Sequence, residues 1–218
     1  IKASFFPSLI SLQNIDFLRA NKIHILLSKA NSDYLLDLYE KFYLNLSFDK
    51  KYGDLQMLKK KLIIKSRFDN YKTALFKKLC QSSLEKEDSE NIMKKMFKKF
   101  KINKKILLKN FYFNLKNCTE IYNEGHEIGM HSITHPRFSN LSYNNQKKEI
   151  IENIKYYKKK KIFRKNLSFC YPYGSFNKDT IKILKNNNIR FALTTNKGKI
   201  FNNVDKFKIP RIDTTDFF

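Results

Sequence analysis

The chain has 218 residues, of which 42% are hydrophobic and 15% aromatic, so it is long and apolar enough to bury a core. Lysine and arginine number 44 against 20 acidic residues, which gives a formal net charge of +24. Most of this charge comes from lysines spread along the sequence, whereas bidentate recognition of nucleic acid favours arginine. The composition therefore argues against global disorder and against a nucleic-acid-binding module.

The spacing of the cysteines and the length of the apolar runs argue against two further features, a cysteine zinc site and a membrane-spanning helix. Cys80, Cys118 and Cys170 are widely spaced and form no Cys-x-x-Cys pair, which disfavours a cysteine zinc site. No run approaches the roughly 20 apolar residues that a membrane-spanning helix needs. The sequence begins at Ile1 rather than methionine, so we expect that a preceding segment was removed or that the sequence is a fragment.

The first thirty residues predict three short elements. An apolar run at residues 3–6 predicts a buried strand, and the spacing of apolar residues over 11–20 predicts a short helix. The apolar run within residues 22–27 predicts a second strand.

Residues 31–111 have a different texture, with apolar residues at helical spacing among many lysines, one glycine and no proline. This pattern predicts a helical insertion, with Leu35, Leu38, Met93 and Phe97 packed inward. Within it, residues 93–105 form a basic amphipathic stretch. Contact with a membrane surface is one interpretation, and packing of the apolar stripe on the domain is the favoured one.

From residue 114 onward, helical and strand patterns alternate, which is typical of an α/β fold with a largely parallel sheet. Ser142 and Asn177 are suited to cap helices, because short polar side chains accept hydrogen bonds from the first backbone N–H groups. The predicted helices cover residues 115–123, 142–160 and a stretch after 177, and the predicted strands cover residues 127–130, 167–171, 191–194 and 208–212.

The most informative stretch is Gly125-His126-Glu127-Ile128-Gly129-Met130-His131-Ser132-Ile133-Thr134-His135-Pro136, which holds three of the four histidines. His131 and His135 stand four residues apart, a spacing that can bring two imidazoles to one metal. A residue before proline is pushed out of the α region, so we expect this pair on an irregular loop after a strand. Histidines in a surface turn are the alternative.

A second stretch, Phe169-Cys170-Tyr171-Pro172-Tyr173-Gly174-Ser175, predicts a strand that ends in a tight turn before a helix. Such a turn can aim backbone N–H groups at a developing oxyanion. It is equally compatible with an ordinary connection from strand to helix.

Together these two stretches resemble the polysaccharide deacetylase family, also called the NodB-homology or carbohydrate esterase family 4 domain. Residues 131–136 resemble its His-Ser/Thr-x-x-His metal motif, and residues 169–174 resemble its Pro-Tyr-Gly motif. Residues 192–195 and 209–212 resemble later strands of the branch that acts on bacterial surface glycans. The resemblance covers residues 120–216 well and residues 2–6 more loosely, and leaves the helical region outside.

The resemblance implies a distorted, incomplete (β/α) barrel that removes acetyl groups from N-acetylated sugars of a glycan. It implies a divalent metal, zinc above others, held by His131, His135 and an aspartate, with a second aspartate as base. It further implies that Pro172 and Tyr173 form the oxyanion turn, with the backbone N–H of Tyr173 as donor. On this basis residues 1–218 form one deacetylase domain, with the partner an N-acetylated glycan. Location stays open between the bacterial cytoplasm and the cell envelope.

The sequence departs from the family pattern in three places. The Asp-Asp motif, which supplies the base and the third metal ligand, is not found, and we expect it upstream of Ile1 with the first strand. The arginine that many members carry beside the Pro-Tyr-Gly motif is absent, and so is a late Leu-x-His motif that supplies the general acid. Arg211 is a candidate electrostatic substitute for that acid. Residues 46–52 look superficially like the aspartate motif, a likeness we interpret as coincidence.

Two functions remain open at this stage. One is a metal-dependent N-deacetylase, of which these 218 residues alone would be poorly active. The other is an inactive, glycan-binding relative that kept the histidines and lost the aspartates.

Overall fold

The computed structural model describes residues 1–64, 66, 68–112, 114–161 and 167–217. The chain divides into two compact units. Ile1–Asp16 and Leu108–Phe218 form one, which we call the α/β unit, and Phe17–Leu107 form the other, which we call the helical unit.

The described strands of the α/β unit all pair in parallel. They are β1 (Ser4–Phe5), β2 (Glu127–Ile128), β3 (Ser168–Cys170), β4 (Phe191–Lys197) and β5 (Ile209–Arg211). β1 pairs with β2, and β3, β4 and β5 form a second sheet in that order. A bridge between Met130, just after β2, and Phe169 of β3 links the two edges. This confirms the predicted α/β fold with parallel strands, in which the described sheets stay open.

Helices alternate with these strands, as the sequence pattern predicts. They are α1 (Leu9–Leu12), α9 (Leu115–Asn123), α10 (Tyr143–Lys160) and α11 (Lys178–Asn186). Asn114, Ser142 and Asn177 each accept a backbone N–H bond in the first turn of the following helix. The caps therefore fix where α9, α10 and α11 begin.

The core of the α/β unit lies between these helices and the strands. Phe169 is fully buried, with its ring 5.7 Å from that of Phe138 and 5.5 Å from that of Tyr171. The buried hydroxyl of Tyr171 donates to the carbonyl oxygen of Phe207 at 2.9 Å, so this tyrosine is satisfied inside the core. The strand that precedes the Pro-Tyr-Gly turn is thus anchored by aromatic packing.

The helical unit is built from helices throughout its described length. They are α2 (Arg19–Leu27), α3 (Ser32–Asn45), α4 (Phe48–Tyr52), α5 (Leu55–Lys61), α6 (Tyr71–Ser82), α7 (Lys86–Lys99) and the start of α8 (Lys104–Phe111). Leu35, Leu38 and Met93 are buried in its core, and Phe97 is partly buried against the same cluster. The helical character predicted for residues 31–111 is therefore confirmed where the structure describes them.

Three local predictions near the start of the chain are wrong. The strand predicted to be buried at residues 3–6 forms as Ser4–Phe5, but Ser4 is exposed and Phe5 only half-buried. The helix predicted over 11–20 ends after Leu12, because Asn14 adopts a left-handed backbone with φ 53°, and the next helix begins only at Arg19. The strand predicted within 22–27 is part of α2. Ile23 and Leu26, three residues apart, are both buried, which is the period of a helix face. A short apolar run fits either element, and here packing in the helical unit selects the helix.

The basic stretch at residues 93–105 keeps its apolar stripe inside the helical unit. Met93 and Met96 are almost fully buried, while Lys94, Lys95 and Lys98 are exposed. Internal packing of the stripe, the favoured of the two interpretations, is thus what the structure contains. Among the described helices, none combines the length and apolarity that a bilayer crossing requires.

Candidate active site

Two loops meet at the carboxyl ends of neighbouring parallel strands. His131 directly follows Met130, whose N–H donates to the carbonyl oxygen of Ser168 and whose own carbonyl oxygen accepts from Cys170 N–H. The turn Pro172–Gly174 follows β3 after a single residue. Because adjacent parallel strands end at the same edge, the histidine loop and this turn are brought together, at the place where α/β folds put their sites.

The two imidazoles lie side by side. The ring centroids of His131 and His135 are 4.7 Å apart, and the ring planes make an angle of 65°. The ring of Tyr173 lies against His135 at a centroid distance of 4.5 Å. All three side chains are half-buried. The two motifs, which are separate in the sequence, therefore contribute rings to one cluster.

The histidine loop is irregular, as the proline after His135 predicts. Ser132 and His135 both have left-handed backbones, with φ of 65° and 57°. The fully buried Ser132 stabilises this turn, since its hydroxyl oxygen accepts from His135 N–H at 3.0 Å. Helical spacing is thus not what brings the two rings together. A serine-closed turn does so.

The loop is also held by Glu149 on α10. One carboxylate oxygen accepts from the backbone N–H groups of Ile133 and Thr134 at 2.8 and 3.0 Å, and the other accepts from the Thr134 hydroxyl at 2.7 Å. On its other side, the carbonyl oxygens of Ser132 and Ile133 accept from the first backbone N–H groups of α1 at 3.0 Å each.

Hydrogen bonding fixes which nitrogen of His131 is available. Nδ1 lies 2.6 Å from the carbonyl oxygen of Cys170, and because a carbonyl oxygen only accepts, Nδ1 carries the proton. In the neutral ring Nε2 then keeps its lone pair. Histidines that bind metals are oriented in the same way, with the second ring nitrogen bonded to a carbonyl or carboxylate.

Both imidazoles are held in the neutral form. Burial lowers the pKa of His131, and the charge of Arg211 lowers it further, although the hydrogen bond to Cys170 acts in the opposite direction. Burial, with smaller contributions from His131 and Arg137, lowers the pKa of His135 to about 4. Neutral imidazole is the form that coordinates a metal.

These two imidazoles fit part of a zinc site. Neutral rings with an oriented Nδ1–H are suitable donors, and the loop between them is tightly held. Yet in the part of the chain that the structure describes, no group of three histidine, cysteine, aspartate or glutamate side chains is placed to hold an ion. A metal here would therefore have two ligands from the described residues, against the three usual in catalytic zinc sites.

The turn after β3 has an unusual backbone. Pro172 is buried, and Tyr173 and Gly174 both have left-handed conformations, with φ of 57° and 64°. The guanidinium carbon of Arg137 lies 4.4 Å from the centre of the Tyr173 ring, a cation–π contact. The turn therefore presents a fixed backbone next to the imidazole pair.

Gly174 offers a direct test of this turn. A Cβ at position 174 would lie 2.0 Å from Thr195 Oγ1, in addition to the strain of a left-handed alanine. We expect Gly174→Ala to lower the free energy of unfolding by more than the roughly 1–2 kcal/mol of the backbone effect alone. Urea unfolding is the measurement, and the double variant Gly174→Ala/Thr195→Ala should recover part of the loss. Equal stability of the single variant and the parent would contradict the geometry.

His135 contributes to the pH dependence of stability. Its pKa is about 4 in the folded chain against an ordinary 6.5, so the unfolded chain takes up the proton first as the pH falls. The contribution of His135 to stability is therefore present above pH 6.5 and lost between 6.5 and about 4, amounting to roughly 3 kcal/mol. Metal-free His135→Asn should show a shallower decline over this range in unfolding titrations. The exposed His24→Asn serves as control, and equal slopes for both variants would refute the assignment.

Arg211 lies beside the cluster on β5. Its side chain is exposed, and Nε donates to the carbonyl oxygen of Thr194 at 2.7 Å. The guanidinium is thus held at one end while its charge acts on His131. Its use as an electrostatic substitute for a general acid stays a prediction.

Sequence reasoning missed three contributors to this site. Glu149, Arg137 and the carbonyl of Cys170 meet the motif residues only in the folded chain. Glu149 stands 14 residues after His135, on a helix whose pattern indicated packing and nothing more. Position next to the motif was the only available signal for Arg137, which follows Pro136.

Comparison with known proteins gives the following matches. A family model described as polysaccharide deacetylase matches residues 88–192. The match thus begins within α7, earlier than the resemblance noted from the motifs, and ends in β4. A curated poly-beta-1,6-N-acetyl-D-glucosamine N-deacetylase of Staphylococcus epidermidis is 29% identical over 92 residues, which are 41% of this chain and 32% of the relative. The chain thus spans about a third of that relative.

Solved structures of low identity also match. A Streptococcus pyogenes deacetylase, solved with acetate, is 21% identical with a TM-score of 0.45, and the match covers 56% of this chain and 57% of the other. A carbohydrate esterase family 4 pseudoenzyme from Bacillus anthracis is 23% identical with a TM-score of 0.33, covering 36% of this chain and 27% of the other.

Proposed function

We propose that the chain, whose residues 88–192 match the polysaccharide deacetylase family model, takes part in metal-dependent removal of N-acetyl groups from sugars of a polysaccharide or glycan precursor. The observation that supports this most is the meeting of His131, His135 and the Tyr173 turn at one strand edge. Hydrolysis of an acetamide needs an activated water and a hydrogen-bond donor to the oxyanion. Histidines that bind a metal can provide the first, and a turn with fixed backbone N–H groups can provide the second.

His131 and His135 would hold the metal, each through a ring nitrogen. When bound, a divalent ion such as zinc polarises the acetamide carbonyl and lowers the pKa of a bound water. The chain's own contribution is orientation. The carbonyl of Cys170 fixes the ring of His131, and the serine-closed turn fixes His135.

The turn Pro172–Gly174 would serve the oxyanion. Buried Pro172 and the left-handed backbone of Tyr173 and Gly174 hold the peptide groups of the turn in one arrangement. In the proposal the backbone N–H of Tyr173 donates to the oxygen that becomes negative as water adds to the acetamide. A donor fixed in advance is worth more than one that must reorganise during the reaction.

The alternative is an inactive relative that binds glycans. It is favoured by one observation, the lack of a third metal-binding side chain among the described residues. In addition, neither of the two motifs contains an aspartate that could act as the base expected for the family. Without a base, proton transfer from the attacking water loses a contribution of roughly 10²–10⁴-fold in rate.

Acetate release from a β-1,6-linked N-acetylglucosamine oligomer tests the choice between the two functions. We expect these 218 residues to release acetate slowly with added zinc, to stop when a chelator is added, and to stop in His131→Ala. Added formate, a small carboxylate able to occupy an open coordination position, should increase the rate of acetate release by the parent. It should leave His131→Ala inactive. Binding of zinc and of the oligomer without any acetate release would favour the inactive relative.

A further inference from the structure

We propose that Glu149 is a positioning residue that sets the geometry of the His131 and His135 pair, and that it acts through the backbone between them. This inference rests on the proposed function, since it assigns Glu149 a purpose at the same metal-binding loop. It goes beyond it, because Glu149 lies in neither motif.

The contacts of Glu149 are concentrated on two residues. Ile133 and Thr134 stand between the two histidines, and among the described residues they are the hydrogen-bond partners of the Glu149 carboxylate, at 2.7, 2.8 and 3.0 Å. A shift of the peptide groups at 133 and 134 would move the imidazoles on both sides. The Glu149 carboxylate thus acts on the positions of both imidazoles, together with the turn that the Ser132 hydroxyl closes.

The loop needs an acceptor at this place. Ser132 and His135 adopt left-handed backbones, so the N–H groups of Ile133 and Thr134 point together at one position instead of joining a helix or strand. A carboxylate accepts several such bonds and donates none, which suits converging N–H groups.

α10 makes Glu149 a rigid support. The next residue, Ile150, is fully buried, and Ile154 one turn later is nearly so. On the opposite side, Leu9 and Ile10 of α1 donate to the carbonyl oxygens of Ser132 and Ile133. Hydrogen bonds to α1 and to α10 therefore hold the loop on both sides.

Glu149 does not offer itself as a metal ligand or base. Both of its oxygens are engaged by loop donors, and the described residues contain no metal-binding group of three that includes it. Its effect on a bound ion should therefore be that of an outer partner, whose loss costs roughly 10–100-fold in metal affinity.

The test is the affinity for zinc alone, measured by calorimetric titration at a temperature where every variant is folded. We expect Glu149→Ala to weaken binding at least about 10-fold. Glu149→Gln should restore most of it, because the amide oxygen still accepts and the amide NH₂ can donate to the Thr134 hydroxyl. Glu152→Ala is the matched control, since Glu152 is exposed on the same helix and its partner among the described residues is Lys155.

A second measurement needs no metal. In the metal-free protein, amide hydrogen exchange at Ile133 and Thr134 should accelerate in Glu149→Ala and stay unchanged in Glu152→Ala. Unchanged zinc affinity and unchanged exchange in Glu149→Ala would overturn this inference while leaving the proposed function standing. Zinc binding without deacetylation would remove the proposed function and leave the positioning role of Glu149 intact, and failure of the parent to bind zinc would refute both.

Discussion

His131→Ala is expected to abolish measurable zinc binding by these 218 residues, and His135→Ala should do the same. The two imidazoles lie 4.7 Å apart and no third side chain of the described residues completes their group, so either change leaves a single protein ligand. The loss should exceed the roughly 10–100-fold that outer partners contribute. Titration calorimetry with zinc chloride is the measurement.

The parent chain itself should bind zinc weakly, because two protein ligands fall short of the usual three. His24→Ala is the control for these variants, since His24 is exposed and belongs to the helical unit. A chain that binds zinc equally well without either His131 or His135 would place the metal elsewhere.

Phe169→Ala should cost about 3–5 kcal/mol of the free energy of unfolding, the range found for deleting a large buried ring. Phe169 is fully buried between Phe138 and Tyr171, and its backbone forms the bridge to Met130 that joins the sheet edges. Domains of this size are stable by only about 5–15 kcal/mol, so this is a large share. Urea denaturation followed by circular dichroism measures it.

Phe201→Ala is the matched control, because the ring of Phe201 is 72% exposed and contributes little burial. Its unfolding midpoint should stay close to that of the parent. Comparable losses for the two variants would show that the core does not lie where the structure has it.

The fold was predictable where the sequence carried strong periodicity or a capping residue. α10 begins immediately after Ser142, and α11 immediately after Asn177, as their caps predict. The start of the chain was not predictable in this way. Residues 22–27 are apolar enough for a buried strand, and only packing of Ile23 and Leu26 in the helical unit decides for a helix.

For the candidate site, sequence motifs indicated the side chains but not their supports. The spacing of His131, His135 and Pro136 predicted an irregular loop with two imidazoles, and the loop has that form. The role of Glu149 depends on how α10 packs beside the loop. Such a contact follows from tertiary structure and leaves no local pattern in one sequence.

X-ray absorption at the zinc edge tests the central claim most directly, namely that His131 and His135 share one ion. For the chain loaded with one equivalent of zinc, we expect two imidazole ligands at about 2.0–2.1 Å, with the remaining positions filled by oxygen. The imidazole signal should disappear in the double variant His131→Ala/His135→Ala and persist in His24→Ala. Sulfur ligands near 2.3 Å, or an imidazole signal unchanged in the double variant, would contradict it.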